Sequence, residues 1–170
     1  MRAFLFLGVL ALTAAAGAAR TSQQPPPPLE WRAFDGAWSA AGRRQTLPTE
    51  GARGAATIQL SGSVVLASSA GLSRAFHAEA IGYDDGGRLA GGRAVWTDTR
   101  GDRVFSELRG ETLATGRRIA GTITGGTGRY DGIAGDWELT WQFVVETEEG
   151  EVQTRAADFR GRYRRIETRR

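Results

Sequence analysis

Residues Ile123 to Phe143 read ITGGTGRYDGIAGDWELTWQF and carry the clearest structural signal in the chain. The second half of this stretch alternates between an apolar and a polar set of side chains. The apolar set, continued by one residue, is Trp137, Leu139, Trp141, Phe143 and Val145. Because successive side chains of a strand point to opposite faces, this period of two predicts a half-buried β-strand. The first half is a glycine-rich turn that leads into the strand.

Similar alternating segments recur along the chain, whereas no window between Leu29 and Ile166 has helical periodicity, so the chain is predicted to be all-β. The expected strands are Glu30 to Arg43, Ala55 to Leu66, Arg74 to Tyr83, Arg88 to Asp98, Arg103 to Leu113, Arg118 to Thr124, Asp136 to Thr147 and Val152 to Arg165. Three of the expected turns contain glycine where a hairpin needs positive φ: Asp84-Asp85-Gly86-Gly87, Thr99-Arg100-Gly101-Asp102 and Glu148-Glu149-Gly150-Glu151. Strands joined by such tight turns are antiparallel neighbours in a sheet. Closure of that sheet into one eight-stranded β-barrel would remove its open edges. A two-sheet sandwich is the alternative.

The glycine-rich turn also resembles a known family. Residues 125–132, Gly-Gly-Thr-Gly-Arg-Tyr-Asp-Gly, resemble the Gly-Gly-Thr/Ser-Gly-x-aromatic-x-Gly stretch of allene oxide cyclases, dirigent proteins and a set of secreted bacterial barrel proteins. The resemblance is strongest from Gly121 to Trp141 and extends from about Ala75 to Arg162. It implies an eight-stranded, mostly antiparallel barrel of the allene oxide cyclase type. The shared residues belong to the turn and the following strand, and the family's catalytic carboxylate maps onto no position of this chain.

The N-terminus predicts export. Arg2 precedes an apolar run from Ala3 to Leu12 and a small-residue tract that ends at Ala19, which are the three parts of a signal peptide. The apolar run is shorter than the roughly 20 residues of a membrane-spanning helix. The expected organisation is a signal peptide over residues 1–19, a proline-rich linker over 20–28, a β-barrel domain over 29–166 and a basic tail over 167–170. We therefore predict a secreted or periplasmic protein.

Arginine supplies all 22 positive side chains, and lysine and cysteine are absent. Disulfides, cysteine-based catalysis and thiolate metal sites are thereby excluded. Six arginines are concentrated near the C-terminus: Arg160, Arg162, Arg164, Arg165, Arg169 and Arg170. Such a cluster binds nucleic acid or an anionic envelope surface. Because an exported protein rarely meets nucleic acid, we expect no nucleic-acid partner and keep weak contact with an anionic surface as a prediction.

The glycine-rich turn does not predict a nucleotide site. Its spacing differs from G-x-G-x-x-G, and no lysine exists to complete a Walker-type loop. A tight reversal or bulge at the barrel rim is favoured instead, because glycine adopts backbone angles that other residues avoid. The residues expected to build it are Gly125, Gly126, Gly128, Gly132 and Gly135. No cofactor is expected.

Two predicted strands carry the candidate ligand-binding residues. His77 and Glu79 share one face of the third strand with Tyr83, so they are polar groups in the cavity if that face lines the interior and ordinary surface if it does not. Glu107 alternates with arginines on the fifth strand, either in a solvated ladder of ion pairs or, if buried, as a carboxyl with a raised pKa. The candidate residues are His77, Glu79, Tyr83, Trp96, Phe105 and Glu107. A single histidine and the lack of a G-x-S-x-G motif predict neither a metal site nor a serine triad.

Three functions remain open. Binding of a small apolar or aromatic molecule inside the barrel is preferred, because a closed barrel and many aromatic side chains suit such a ligand. Interaction of the outer surface and the arginine-rich C-terminus with an anionic polysaccharide is the second. The third, implied by the resemblance, is isomerisation or the guiding of a cyclisation. Since fold does not determine function and no catalytic residue is identified, we predict binding without catalysis.

Overall fold

A computed structural model describes residues 30–48, 54–86, 88–113 and 116–166. The strands are β1 (Arg32–Pro48), β2 (Gly54–Ser68), β3 (Ala75–Asp85), β4 (Arg88–Thr97), β5 (Arg103–Leu113), β6 (Gly116–Gly126), β7 (Ile133–Glu146) and β8 (Glu151–Arg165). A single turn of 3-10 helix, Gly128–Tyr130, lies between β6 and β7. In these ranges no helix has the length and hydrophobicity needed to cross a membrane. The predicted signal peptide, linker and basic tail lie outside the described residues.

The strands form one closed antiparallel barrel. Each strand pairs with the next along the chain, and β8 pairs with β1 to close the sheet. The closing pairs run from Arg32 opposite Tyr163 to Arg43 opposite Glu151. The predicted eight-stranded barrel is therefore confirmed, and the sandwich alternative is wrong because a single continuous sheet has no second layer.

Two differences in strand bounds matter for the site. β1 was expected to end at Arg43 but continues to Pro48, because its backbone pairs with β2 as far as Gly54. β3 continues to Asp85, so Asp84 lies in a strand and not in the predicted turn. It lies opposite Leu89 of β4, just beyond a register shift of the β3–β4 pair between Tyr83 and Asp84.

The predicted alternation of β7 is correct up to Phe143 and wrong at Val145. Trp137, Leu139 and Trp141 are buried, as expected for inward-facing positions. The register between β7 and β8 then shifts between Phe143 and Val145, which leaves Val145 41% exposed. A β-bulge re-aims the side chains that follow it, which the period of two in the sequence does not show.

Aromatic side chains fill the middle of the barrel. The rings that are less than a tenth exposed are Phe34, Trp38, Phe76, Trp96, Tyr130, Trp137, Trp141, Phe159 and Tyr163. The ring centroid of Trp96 lies 6.3 Å from that of Trp38, 5.5 Å from that of Trp137 and 5.4 Å from that of Phe159. Tilted and edge-on contacts at these distances are the favoured geometries of aromatic pairs. At the level of Trp96 the interior is thus occupied by protein side chains.

The two ends of the barrel differ. At one end, which we call the capped end, the connections β2–β3, β4–β5 and β6–β7 meet. There Leu72 of the β2–β3 loop packs into the core, and the Tyr163 hydroxyl donates a hydrogen bond of 2.8 Å to the Ala70 carbonyl. The opposite end, which we call the mouth, is the end at which β1, β3, β5 and β7 finish.

Candidate functional site

The structure places three of the predicted site residues on the outside of the barrel. His77, Glu79 and Tyr83 are exposed, because the inward positions of β3 belong to the alternate residues. Those inward residues are Phe76, Ala78, Ala80, Gly82 and Asp84. Of the two readings of this strand, the one with the His77 face on the surface is therefore the one present, since neighbouring positions of a strand point to opposite faces.

The remaining three candidates divide between the two faces. Trp96 is fully buried in the core, whereas Phe105 and Glu107 lie on the outward side of β5, between buried Val104, Ser106 and Leu108. Glu107 forms an ion pair of 3.0 Å with exposed Arg93 of the neighbouring strand. The surface ladder, one of the two readings of this strand, is thus the one present. A role of these residues in ligand binding stays a prediction.

Four charged residues from four strands meet at the mouth, and we call them the mouth cluster: Arg44, Asp84, Arg117 and Glu146. The Asp84 side chain is 1% exposed and forms an ion pair with Arg117. Arg44 Nη2 lies 3.8 Å from Asp84 Oδ2, and Arg44 Nη1 donates to Glu146 Oε1 at 3.0 Å. Two arginines and two carboxylates therefore lie in contact, with exposure rising from Asp84 to Glu146.

The Asp84–Arg117 pair crosses the inside of the barrel. Asp84 is on β3 and Arg117 is on β6, and these strands are separated by β4 and β5 in the closed sheet. Arg117 lies on the inward face of β6, as does Ile119 two residues further along the strand. A contact between strands that are not neighbours, made by side chains that point inward, has to span the lumen. Taking charges out of water is costly, and a buried ion pair is weak evidence for stability.

An apolar pocket lies next to this pair. It has a volume of about 30 Å³, and its lining is mainly apolar and aromatic, with Arg117 and Thr154 as the polar members. The largest lining side chains are Trp38, Leu108, Ile119, Trp137, Trp141 and Phe143. The guanidinium carbon of Arg117 lies 5.6 Å from the centroid of the Phe143 ring, a cation–π distance. Arg117 and partly exposed Phe143 thus border the pocket beside the Asp84 carboxylate.

Two buried N–H groups at this site lack an acceptor among the described residues. They are Trp38 Nε1 in the wall of the pocket and Arg44 Nε in the mouth cluster. By contrast, Trp137 Nε1 donates to Ser106 Oγ at 3.1 Å. Buried polar groups are normally hydrogen-bonded. Trp96 Nε1 in the core and Arg164 Nε of β8 also lack an acceptor among the described residues, so unpaired donors are not confined to this site.

A much larger concavity of about 1070 Å³ borders the mouth. Its wall includes Arg44 and Glu146 of the mouth cluster and the turn between β7 and β8. Ile81 and Tyr83, which are 58% and 48% exposed, add apolar surface to it. Tyr83, one of the predicted site residues, is therefore near the mouth although its side chain lies outside the barrel.

A second charged cluster fastens the capped end. Asp98 has a fully buried side chain and accepts hydrogen bonds from the Arg100 N–H at 2.7 Å and the Asp102 N–H at 3.1 Å. The Tyr130 hydroxyl donates to Asp98 Oδ2 at 3.0 Å and accepts from Arg129 Nε at 2.9 Å. Arg129 Nη2 also lies 2.8 Å from Asp98 Oδ2. The cluster ties the β4–β5 loop to the 3-10 helix.

The environment of this cluster shifts two pKa values. Burial by itself raises the pKa of Asp98, but the hydrogen bonds from Arg100, Tyr130 and Asp102, with the charge of Arg129, lower it overall. Burial raises the pKa of Tyr130, so its hydroxyl keeps the proton that it donates to Asp98. All partners are internal to the loops, which is the pattern of a structural fastening.

The glycines of the predicted turn allow the backbone to adopt the conformation that this cluster requires. Gly128 and Gly132 have φ of 56° and 70°, a region that other residues rarely adopt. A Cβ on Gly128 would also collide with the Asp102 carboxylate. Gly126 and Gly135 are in the strands, and Gly125 lies opposite Phe105 where the register of β5 and β6 shifts. The turn therefore has an architectural place at the capped end, away from the mouth.

No member of the mouth cluster was predicted from the sequence as a site residue. The alternation of the strands could have indicated two of them. Asp84 continues the series of inward-facing residues of β3, and Arg117 is two residues before inward-facing Ile119. Arg44 and Glu146 lay at strand ends where the predicted bounds were too short or where a bulge altered the phase. Among the described residues no group of three or more histidine or acidic side chains is arranged to hold a metal ion.

The fold and the mouth define this protein as a closed antiparallel β-barrel with a charge-crossed lumen. The solved structure of a pterocarpan synthase dirigent protein is similar to this chain, with a TM-score of 0.42 and 9% sequence identity over 81% of this chain and 93% of that chain. No protein-family model matches the chain, and no curated protein matches it in sequence. The strand pairing of the chain itself carries the fold assignment.

Proposed function

We propose that the protein binds a small molecule with an apolar or aromatic body and an oxygen acceptor group at the mouth of the barrel. The observation that carries this proposal is the Asp84–Arg117 pair, which is placed across the lumen beside an apolar pocket. Well-packed apolar residues of similar volume would often serve stability as well or better. Charges kept at such a position are therefore expected to act on something that enters.

The apolar part of the ligand would contact the aromatic wall of the pocket. Trp38, Trp141 and Phe143 present ring surface there, and ligand sites are mostly apolar with a few placed polar groups. The pocket of about 30 Å³ has room for little more than water. A larger ligand thus enters by moving Phe143 and Arg117, the partly exposed side chains at its border.

The polar part would satisfy the unpaired donors. Trp38 Nε1 and Arg44 Nε can each give a hydrogen bond to a carbonyl, ether or carboxylate oxygen, and neither can accept one. The charges of the mouth cluster balance, with two arginines against two carboxylates. A neutral ligand with oxygen acceptors therefore suits the site without adding an uncompensated charge.

The other functions and the exported location stay predictions. No described contact favours catalysis over binding. The arginines near the C-terminus lend less support to contact with an anionic surface than their number suggests, because Arg160 and Arg162 are part of β8 and pair with Glu138 and Asp136 at 2.6 and 3.0 Å.

Binding can be tested with 2-acetylnaphthalene, which carries one carbonyl acceptor, and with 2-ethylnaphthalene, which has the same shape and no acceptor. Quenching of tryptophan fluorescence measures both, because three tryptophans line the pocket. We expect the ketone to bind about fivefold more tightly, the effect of one net hydrogen bond of about 1 kcal/mol. Equal affinities, or no saturable quenching by either compound, would refute the proposal.

Matched variants locate the site. Ala80→Val adds volume inside the pocket and should weaken binding of the ketone at least tenfold, since Ala80 is part of the pocket wall. Arg117→Gln should also weaken it, whereas Arg118→Gln, one residue away and on the outer face, should leave it unchanged. If Arg118→Gln and Arg117→Gln behave alike, the probe is bound elsewhere.

A further inference from the structure

A further concave region opens on the outer face of the barrel, where β4 and β5 are no longer paired. We call it the basic hollow. It has a volume of about 320 Å³ and is lined by Arg88, Leu89, Ala90, Arg109, Gly110, Glu111, Arg118 and Ala120. Three arginines and one glutamate supply its charge. Its other lining residues are small, apart from Leu89, so the arginine side chains have space in front of them.

The charges of the basic hollow are not balanced. Arg118 forms an ion pair of 3.3 Å with Glu111, its cross-strand neighbour. Arg88 and Arg109 have no ion pair among the described residues. The undescribed residues next to these strands along the chain, Gly87, Ala114 and Thr115, are uncharged. Two guanidinium groups in one small region therefore have no ion pair among the described residues, although Asp85 lies opposite Arg88 in the sheet.

Another outer concavity shows that this imbalance is not a general property of the surface. A region of about 650 Å³ on β1, β6, β7 and β8 also contains arginines, Arg160 and Arg162. Both of these are paired, with Glu138 and Asp136, and Asp35 adds a further acid. This second region, which we call the balanced hollow, has a net charge of about −1, whereas the basic hollow has about +2.

We propose that the basic hollow binds a phosphate or sulfate group of a ligand. A tetrahedral oxyanion, doubly charged in a phosphate monoester and singly charged in a sulfate ester, matches the two arginines that have no ion pair, and the planar fork of arginine donates two parallel hydrogen bonds to such a group. Glu111 stays paired with Arg118 and so repels the anion less than a free carboxylate would. The small side chains of Ala90, Gly110 and Ala120 leave room for the anion between the arginines.

The test is a titration of isotopically labelled protein with inorganic phosphate, inorganic sulfate and acetate, at constant ionic strength and pH 7.5. Backbone amide shifts of Ala90, Gly110 and Glu111 report on the basic hollow, and those of Gly161 report on the balanced hollow. We expect saturable shifts with phosphate and sulfate at the first set alone, and at least tenfold weaker effects with acetate. Tighter binding of phosphate than of sulfate would assign a phosphate ester as the ligand, and the reverse a sulfate ester.

Variants complete the test. The double variant Arg88→Gln/Arg109→Gln should lower the affinity at least tenfold, while Arg103→Gln, an exposed arginine on the outer face of the same strand β5, should not change it. Arg117→Gln should also leave phosphate binding intact, which keeps this site separate from the ligand proposed at the mouth. Uniform shifts over the whole surface, equal binding of acetate, or an unchanged double variant would overturn the proposal.

Discussion

The capped end and the mouth each contain a buried aspartate that contacts arginine, yet the two aspartates have different kinds of partners. Asp98 at the capped end accepts from two backbone N–H groups and a tyrosine hydroxyl of the adjoining loops. Asp84 at the mouth is held by arginine side chains from β1 and β6. The first arrangement fixes the backbone of loops, whereas the second places charge inside the lumen.

The kind of partner distinguishes a carboxylate that holds the fold together from one that can contact a ligand. Backbone N–H groups that Asp98 satisfies would remain buried without it, so the fold depends on that side chain. Arg44 and Arg117, which contact Asp84 at the mouth, are long side chains that can turn toward water or toward a ligand. Substitutions at the two ends should therefore have opposite profiles of stability and binding.

The largest effect is expected for Asp98→Ala at the capped end. It removes an acceptor from buried donors and leaves Arg129 without its partner, which should lower the free energy of unfolding by about 3 kcal/mol. Urea denaturation measures this loss. Asp136→Ala breaks the exposed pair with Arg162 and should cost less than about 1 kcal/mol. A similar loss for both variants would contradict the structural role of Asp98.

A smaller effect on stability, and a larger one on binding, is expected at the mouth. Arg117→Met should cost about 2 kcal/mol, because it leaves the Asp84 carboxylate in the lumen with Arg44 at 3.8 Å. The double variant Asp84→Leu/Arg117→Met should recover most of that loss but not the selectivity for the ketone over the ethyl compound.

Urea denaturation and the fluorescence titration together decide this point. If the double variant is less stable than Arg117→Met, the ion pair contributes to the fold in the same way as the Asp98 cluster. The contrast between the two ends would then fail.

The smallest expected effect is on the loss of folding stability at acid pH. The pKa of Asp98 is lowered in the folded protein, so its contribution to stability is present above the unfolded pKa of about 3.9 and is lost as the pH falls through the lower, folded value. The pKa of Asp158 is also lowered, since burial raises it less than the hydrogen bonds from Thr140 lower it. Asp98→Asn should therefore reduce, without abolishing, the loss of stability as the pH falls below about 4. Parallel pH profiles of the variant and the parent protein would contradict this assignment.

The sequence was sufficient to predict the number, order and pairing of the strands. Alternation and turn glycines are local properties, and they identified Trp137 to Trp141 as inward-facing. The phase of β3 could not be settled in the same way, because alanines at 78 and 80 are small enough for either face and His77 and Glu79 are separated by the same interval. Both phases therefore stayed open, and the structure has His77, Glu79 and Tyr83 on the outer face.

The site was less predictable because it depends on contacts between distant strands. Nothing local to Asp84 or Arg117 indicates that the closed sheet brings them together across the lumen. Bulges added to the difficulty, since the shift near Val145 changes which side chains of β7 reach Arg44. The basic hollow was also hidden, because the excess charge at Arg88 and Arg109 is visible only once the pairs of the other arginines are known.

The closing pair of the barrel has a consequence for the path of folding. Because β1 and β8 are neighbours in space, the start of β1 at Arg32 lies opposite Tyr163 near the end of β8. Joining these ends with a short linker and opening the chain at Gly150 would turn the most distant strand pair into a hairpin and make β7–β8 the long-range seam, with every neighbour in the sheet retained. The entropic cost of closing the longest loop, which belongs to the β1–β8 pair in the present chain order, would then belong to the β7–β8 pair. The folded barrel would be the same.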